Sequence, residues 1–541
     1  MSVNLNETLK PHEMPALWGS PAKPDFPLKI QLIYGIGYFV ALVVGSLQNN
    51  LIISYVNYLQ GDLGISQAQS MCVSAAYYMG NTWATVVLYK ARQHFGIKTF
   101  FHIVFSLLIF ANFIQLLDPT FTTTIIARFI NGIIGSGITI LSVFYTVEML
   151  GSKYRYMMFA MSIGLIQVGS AFSRFIVAYF SVSDIPHLMA FFEIGISLLA
   201  LTVFLLIELP PSRVGKSFYW ADTSIVFYAI ATAIFCFIFS ITTVLWWNYD
   251  FIAYCLCIAI ASFGIFFVIE FFKERPFILF RFMTNFELIE VALSAAFVRM
   301  CLAEQTTGAT GLFRNVLGFS DYQLAHYYGV VSLGALFGGI LSIIIIRFNR
   351  TKGMMLSAVG MIVVGSFLST KLSINIMPEN LYLGQFIIAA GSIFFIGPLM
   401  TSGALLGLSR GVQYMMTFSA VFLFSQSIFG LLGSTIINYF IKTRTAQYLQ
   451  DLINRSPDTS MMDLNFKTEA TKQAGVLAYG DLFFIIGIIA SILFLILLAR
   501  YVYFFKFKHI HPIGRELNIL KHRSIVANAR TAKILQQEKG E

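Results

Sequence analysis

Charged residues are scarce in this chain. Asp, Glu, Lys and Arg make up 11% of the 541 residues, and 57% of the residues are hydrophobic. An ordinary soluble protein is about one quarter charged, and a soluble fold of this size has no means of covering so much apolar surface. The composition therefore excludes a soluble enzyme, a nucleic-acid binder and a disordered chain. It indicates an all-α integral membrane protein.

Cysteine is also rare, and the chemistry of cofactors is missing. The five cysteines lie in apolar runs and show neither zinc-ligand spacing nor a disulfide pattern. The sequence contains no phosphate-binding loop, metal-ligand cluster or nucleophile elbow, so we expect no enzymatic activity, no metal and no cofactor. Without an ATP-binding domain in the sequence, any pumping has to use an ion gradient or a partner ATPase, and we expect a proton gradient.

Long apolar runs are what the chain has in abundance. Because a spanning helix needs about 20 mostly apolar residues, the sequence predicts fourteen transmembrane helices. They cover residues 31–56, 68–89, 99–117, 122–147, 156–180, 187–208, 221–244, 251–272, 286–310, 324–346, 354–370, 381–407, 414–440 and 480–504.

The distribution of charge supports this prediction. Cytoplasmic loops are expected to carry the Lys and Arg residues. If the amino terminus is cytoplasmic, the first four outer loops contain no Lys or Arg, and each contains an aspartate instead: Asp62, Asp118, Asp184 and Asp250. A miscounted helix would invert the alternation from that point onward. We therefore predict that both termini are cytoplasmic, and we use "inner" and "outer" in this sense.

The predicted helices divide the chain into a six-helix half, two extra central helices and a second six-helix half. With the tails, the parts are 1–30, 31–208, 209–280, 281–505 and 506–541, and the second half includes a long outer loop at 441–479. The first part of that loop is compatible with a short amphipathic helix. The loop is either a solvated connection or a docking surface. The basic tail is expected to lie on the anionic inner leaflet.

One segment at the start of the fourth predicted helix suggests a family. The stretch ARFINGIIGSG resembles the R-x-x-Q-G-x-G signature of the major facilitator superfamily, with Arg128 and Gly132 matching, Gly135 one position after the last glycine, and Asn131 in place of Gln. An arginine inside a membrane is costly unless it is paired or hydrated, so Arg128 is expected to line a polar cavity. The glycines are expected to let a neighbouring helix approach closely.

Further segments resemble the fourteen-helix drug/proton antiporter branch of that family, the EmrB/QacA type. They include the two central helices, the linker RPFILFRFMTNFEL and the stretch around Pro398. The resemblance implies the fold of this superfamily. The usual helix 1 aspartate falls on Gln48, Ser173 and Arg174 replace a Gly-Pro pair, and a usual arginine falls on Gln426. By resemblance, these departures replace residues that the branch uses to couple transport to protons.

Ionisable residues inside the predicted spans are the candidates for transport or coupling, because charge that faces lipid is costly. They are Arg128, Glu148, Arg174, Glu193, Glu290, Arg299 and Glu304. A carboxyl group in a dry cavity favours its protonated form, and a nearby arginine favours the carboxylate. We expect Glu304 or Glu193 to carry the proton. Fixed Glu–Arg pairs that only hold helices together are the alternative, and Arg174 and Glu193 are predicted to form such a pair.

Two further sets of residues complete the candidates. The first set has polar side chains that are expected to line the cavity: Gln48, Asn49, Asn131 and Gln426. The second set is expected to serve in helix packing or as hinges: Gly132, Gly135, Gly338 and Pro398. Glu148 closes a helix near the cytoplasm, where a hydrated carboxylate is the alternative interpretation.

The leading functional hypothesis is a secondary active transporter in a bacterial inner membrane. By resemblance, it exports amphipathic organic molecules or drugs in exchange for protons, with a periplasmic adaptor and an outer-membrane channel as partners. An importer or uniporter of a small metabolite or siderophore is the second hypothesis, favoured by the loss of the helix 1 aspartate. A non-transporting sensor or scaffold is the third.

Overall fold

Helices form the regular structure of the chain. The computed structural model describes residues 26–117, 119–149, 168–180, 185–210, 223–273, 276, 278–346, 350–410, 412–455 and 464–503, and these contain no strand. The helices are α1 (Leu28–Asp62), α2 (Gln67–Leu117), α3 (Phe121–Met149), α4 (Gly169–Tyr179), α5 (Ile185–Leu206), α6 (Thr223–Leu245), α7 (Asp250–Phe272), α8 (Phe280–Met283), α9 (Phe286–Ala303), α10 (Ala325–Ile345), α11 (Thr351–Leu368), α12 (Tyr382–Arg410), α13 (Val412–Arg455) and α14 (Leu464–Tyr503).

The prediction of an all-helical, multi-pass membrane protein is confirmed. Each of the fourteen predicted spans overlaps one of these helices, although 156–167 lies outside the described residues. In the described part of the chain, eleven helices or helix segments are long and apolar enough to cross a membrane. The number of crossings and the side of the termini stay predictions, and the tails up to residue 25 and from residue 504 lie outside the described residues.

Two predicted spans are joined into one helix with a sharp bend. α2 contains both 68–89 and 99–117, and its direction changes at Gly96, where φ is 75° and ψ is 169°. A side chain at such a positive φ would be strained, so glycine is suited to this position. The connection therefore needs no separate loop.

The helices pack into two groups with α6 between them. α1 to α5 contact one another and form the N-terminal group. α9 to α14 form the second group, which is the C-terminal group. The two groups meet through α4 against α10 and α2 against α13, and α6 packs on both α2 and α13. α7 packs mainly on α6, and the most apolar part of α7 is only 22% buried. The central pair therefore extends the bundle on one side without separating the two groups.

Glycines sit where helix backbones approach most closely. A methyl group at Gly132 of α3 would overlap the carbonyl oxygen of Tyr77 in α2, and one at Gly338 of α10 would overlap that of Ala390 in α12. Small residues at such positions let membrane helices pack tightly. The structure thus places these two of the three predicted packing glycines at helix–helix contacts.

We expect Gly132→Ala to lower the stability of the protein, because the added methyl group displaces the α2 backbone at Tyr77. Overpacking of this kind costs about 1–3 kcal/mol. Gly195 of α5 is a matched control, since a methyl group there meets nothing within 4 Å. Thermal unfolding of the two purified variants in detergent measures the difference. Equal melting temperatures for Gly132→Ala and Gly195→Ala would contradict this packing.

The segment 441–479, predicted as a long loop, is largely helical. α13 continues to Arg455 and α14 begins at Leu464, while 456–463 lies outside the described residues. Arg444 donates from Nε to Oδ2 of Asp481 over 2.7 Å, and the Tyr448 hydroxyl donates to the same oxygen over 2.7 Å. The polar composition of the segment suggested a loop, but these contacts hold two extended helices together.

Candidate functional site

A cavity of about 260 Å³ lies between the two groups of helices, lined by α1, α2, α4, α6, α9 and α13. It lies toward the predicted outer end, because its α1 residues run from Asn50 to Asn57 and α1 ends at Asp62. A smaller cavity of about 40 Å³ shares Arg174 and Arg299 with it. Because sites for drug-sized ligands measure about 300–1,000 Å³, the volume suits a small molecule.

Three arginines line the main cavity. The one acidic residue of the lining forms a salt bridge with one of them. Nη2 of Arg314 lies 3.2 Å from Oδ2 of Asp321. Arg174 on α4 and Arg299 on α9 have no carboxylate at salt-bridge distance among the described residues. Tyr78 of α2 lies within hydrogen-bonding reach of Arg299. The cavity therefore presents uncompensated positive charge to whatever enters it.

The Arg314–Asp321 pair also joins the two groups of helices. The Tyr58 hydroxyl of α1 donates to Oδ2 of Asp321 over 2.7 Å. With the Asn57 amide oriented so that its oxygen faces Arg314, that oxygen accepts from Nη2 over 3.0 Å. These contacts lie at the predicted outer end of the cavity and hold that end together.

Arg128 is buried inside the N-terminal group of helices. Its guanidinium is fully buried and makes two hydrogen bonds of 3.2 Å to the two carboxylate oxygens of Glu193 on α5. Tyr55 of α1 accepts from Arg128 and donates to Oε1 of Glu193 over 3.3 Å. The predicted pair of Arg174 with Glu193 is therefore wrong, and Arg128 stabilises a contact of three helices instead of lining the cavity.

Neutral polar groups extend this buried network. Gln48 donates to Oγ of Ser197 over 3.2 Å, Asn112 donates to the same oxygen over 3.2 Å, and Asn131 donates to Oδ1 of Asn112 over 2.9 Å. Gln48 and Asn131, both predicted to line a cavity, thus belong to the packed interior of the N-terminal group and line neither cavity. The side chain of Asn49 lies outside what the structure describes.

Glu304 is a buried acidic residue that forms no salt bridge with a cation in the described part of the chain. Its side chain is buried where α9 changes into the π-helical segment Glu304–Ala309. Nε2 of Gln385 on α12 donates to Oε1 over 2.7 Å, and no described protein group lies at hydrogen-bond distance from Oε2. No Lys or Arg forms a salt bridge with it among the described residues, unlike Glu193. The next residue, Gln305, lines the smaller cavity, so Glu304 lies one residue behind the cavity wall.

The other candidates lie away from the cavity. Oε2 of Glu290 lies 2.6 Å from Nη2 of Arg500, at the predicted inner end of the bundle. Glu148 is buried near the end of α3, and Gln426 donates to the Ala295 carbonyl over 3.1 Å. Two packing candidates lie within helices: Gly135 in α3 and Pro398 in α12.

Sequence reasoning missed two acidic residues and one arginine of structural importance. Asp321 and Arg314 were assigned to an outer loop, but the π-helical turns of 304–316 bring them to the cavity. Glu270 is buried near the end of α7, where it accepts from Ser224 of α6. An acid at the end of an otherwise apolar helix was the available signal for Glu270. No group of three or more His, Cys, Asp or Glu that could hold a metal occurs in the described ranges.

Comparisons with known proteins agree with this architecture. The model of the Major Facilitator Superfamily matches residues 37–434. The human organic anion transporter MFSD10 (TETRAN) superposes with a TM-score of 0.54 at 10% identity, covering 85% of this chain and 99% of that one. No curated protein sequence matches the chain.

Two further solved structures have similar folds. The proton:xylose symporter XylE has a TM-score of 0.53 at 13% identity, covering 89% of this chain and 96% of that one. A bacterial homologue of the human drug peptide transporters PepT1 and PepT2 has a TM-score of 0.52 at 14% identity, covering 87% and 98%. At such low identity, these likenesses show the fold alone.

Proposed function

Since this chain belongs to the major facilitator superfamily, we propose that it moves a small polar organic molecule through the cavity between its two groups of helices and couples this movement to protons at Glu304. Membership makes the chain a multi-pass membrane transporter rather than an enzyme. Both groups of helices build the cavity together, as alternating access requires of a transport path.

The state of Glu304 is the observation that supports proton coupling. A buried carboxylate without a cation is costly, whereas the protonated acid is neutral and needs no compensation. One oxygen of Glu304 has no hydrogen-bond partner, so a proton there leaves the existing bond from Gln385 undisturbed. Glu193, the other candidate, is fixed by Arg128 and Tyr55. We therefore assign the proton to Glu304.

Two modes of transport are consistent with such a site. Resemblance to the drug/proton antiporter branch implies export in exchange for protons. The same resemblance implies a location in a bacterial inner membrane and an adaptor protein as a partner. Import of a small metabolite is the second candidate. The small cavity and its polar lining favour it, and so does Gln48, a residue that cannot carry a proton where the branch has an acid.

Reconstitution into proteoliposomes that contain a trapped pH indicator tests the proposal. We expect at least one compound from a panel of small organic anions, sugars and cationic dyes to move protons when it is added across an imposed pH gradient. Proton movement against the compound indicates exchange, and proton movement with it indicates cotransport. Substrate flux without proton movement would contradict coupling, and no flux of any compound would favour a sensor.

A further inference from the structure

The geometry of the cavity points to small organic anions that carry carboxylate groups as the substrates, held between Arg174 and Arg299. This inference rests on the proposed function only in taking the cavity as the transport path. It names carboxylate-bearing anions as the class of substrate from the residues of this cavity, and it assigns two binding residues, one from each group of helices.

The charge of the cavity carries the inference. Its charged lining residues are three arginines and one aspartate, which leaves a formal charge of +2. Asp321 is already occupied by Arg314 and Tyr58. A narrow site with one sign of charge and low-dielectric walls concentrates ions of the opposite sign. Cations are repelled by the same field, so a cationic dye is a poor fit.

Two other charged groups in the bundle are compensated by the protein, whereas the half-buried Arg174 and Arg299 are not. Arg128 is matched by Glu193, and Glu270 lies 3.3 Å from Lys273. Removing charged groups from water is costly unless a partner is supplied. Among the described residues no carboxylate lies at salt-bridge distance from Arg174 or Arg299, so an anion from outside can supply the negative charge. This explains why the positive charge is retained inside a membrane-embedded cavity.

The chemistry of the groups selects carboxylates. A guanidinium presents donors in a rigid fork that matches a carboxylate and binds it through two hydrogen bonds. Thr306, Thr307 and Ser434 also line the cavity. Each of their hydroxyl groups donates its hydrogen within the protein, so their oxygens are suited to accept from hydroxyl groups of a small metabolite. The volume of about 260 Å³ lies below the usual range for drug-sized ligands and suits a small acid.

Placement on opposite groups gives the two arginines a further role. Arg174 belongs to α4 of the N-terminal group, and Arg299 belongs to α9 of the C-terminal group. An anion that contacts both guanidinium groups reduces their mutual repulsion and draws the two groups of helices together. Binding energy is thereby available for closing the cavity around the substrate.

Thermal stabilisation of the purified full chain by defined probes tests this inference. Lactate, succinate and citrate supply one, two and three carboxylates, while lactamide and succinamide are uncharged analogues of the first two. We expect stabilisation by at least one of the three acids and none by the amides. Arg174→Gln and Arg299→Gln are each expected to weaken its binding about 10-fold or more, because each removes a charge-assisted hydrogen-bond donor.

Three variants separate binding from folding. Arg174→Lys and Arg299→Lys keep the charge and are expected to retain part of the affinity, whereas Arg455→Gln, on an exposed residue at the end of α13, should leave it unchanged. No stabilisation by any of the acids, equal stabilisation by the amides, or equal affinity in the Gln variants would overturn the inference. Because binding is measured without a membrane, proton-coupled flux of only neutral compounds would overturn it while leaving the proposed function intact.

Discussion

Glu193→Gln is expected to destabilise the protein strongly, and by more than Gly132→Ala. The substitution leaves the guanidinium of Arg128 fully buried with only the Tyr55 hydroxyl and a neutral amide beside it. Breaking a buried ion pair by removing one partner costs about 3–5 kcal/mol, because an uncompensated charge remains in the interior. The expected result is a low yield of folded protein and a strongly lowered melting temperature in detergent.

The double variant Arg128→Gln with Glu193→Gln is the critical comparison. Removing both charges eliminates the buried ion, so we expect the double variant to be more stable than Glu193→Gln alone. Glu469→Gln is the matched control, because Glu469 pairs with Lys472 on an exposed surface and such pairs contribute little. If Glu193→Gln melts like Glu469→Gln, the Arg128–Glu193 pair does not stabilise the bundle.

Glu304→Gln is expected to abolish proton-driven accumulation of substrate. Glutamine has nearly the same shape and can still accept the hydrogen bond from Gln385, but it cannot bind and release a proton. Substrate binding should persist, because Glu304 lies behind the cavity wall. Exchange of labelled for unlabelled substrate across proteoliposomes should persist too. The measurement compares accumulation under a pH gradient with exchange at equilibrium in the same vesicles.

Glu290→Gln provides the control on the same helix. Glu290 is paired with Arg500 far from the cavity, so its loss is expected to leave the coupling of substrate to protons unchanged. Full accumulation by Glu304→Gln under a pH gradient would refute the assignment of the proton to Glu304. Loss of accumulation in both variants would show a general effect of lost charge on α9.

The helices were predictable because apolar runs of membrane length leave few alternatives, whereas the partners of buried charges were not. The sequence identified Arg128 and Glu193 as functional candidates but paired Glu193 with Arg174. Arg128 and Glu193 lie seven and eight residues from the predicted outer ends of α3 and α5, whereas Arg174 lies five residues from that of α4. At about 1.5 Å per residue, depth alone favoured the observed pair.

The cavity was harder to foresee than the buried pair. The π-helical turns after Ala303 add residues to the helix and reorient everything from Glu304 to Val316. That change brings Arg314 and Asp321 to the cavity, and the hydrophobic periodicity of the sequence does not predict it. Likewise, Gln48 and Asn131 were recognised as unusual in an apolar context, but only the packing of α1, α2, α3 and α5 shows that they are linked through Ser197 and Asn112.

Anion binding at the two arginines and protonation of Glu304 together favour cotransport over exchange. On this proposal, a bound anion makes Glu304, the neighbour of the cavity-lining Gln305, favour its protonated form, since two negative charges close together inside the bundle repel each other. By linkage, protonation of Glu304 then strengthens anion binding by the same factor. Anion and proton are therefore expected to bind together and cross together. A cationic substrate would compete with the proton and produce exchange.

Proton movement on substrate binding is the most direct test of this coupling. Purified protein in weakly buffered detergent solution is mixed with the tightest-binding of lactate, succinate and citrate, adjusted to the same pH, and the pH change is recorded. We expect the wild-type chain to take up protons and Glu304→Gln to take up none. Proton release, no pH change, or an equal uptake by Glu304→Gln would contradict the coupling of anion binding to Glu304.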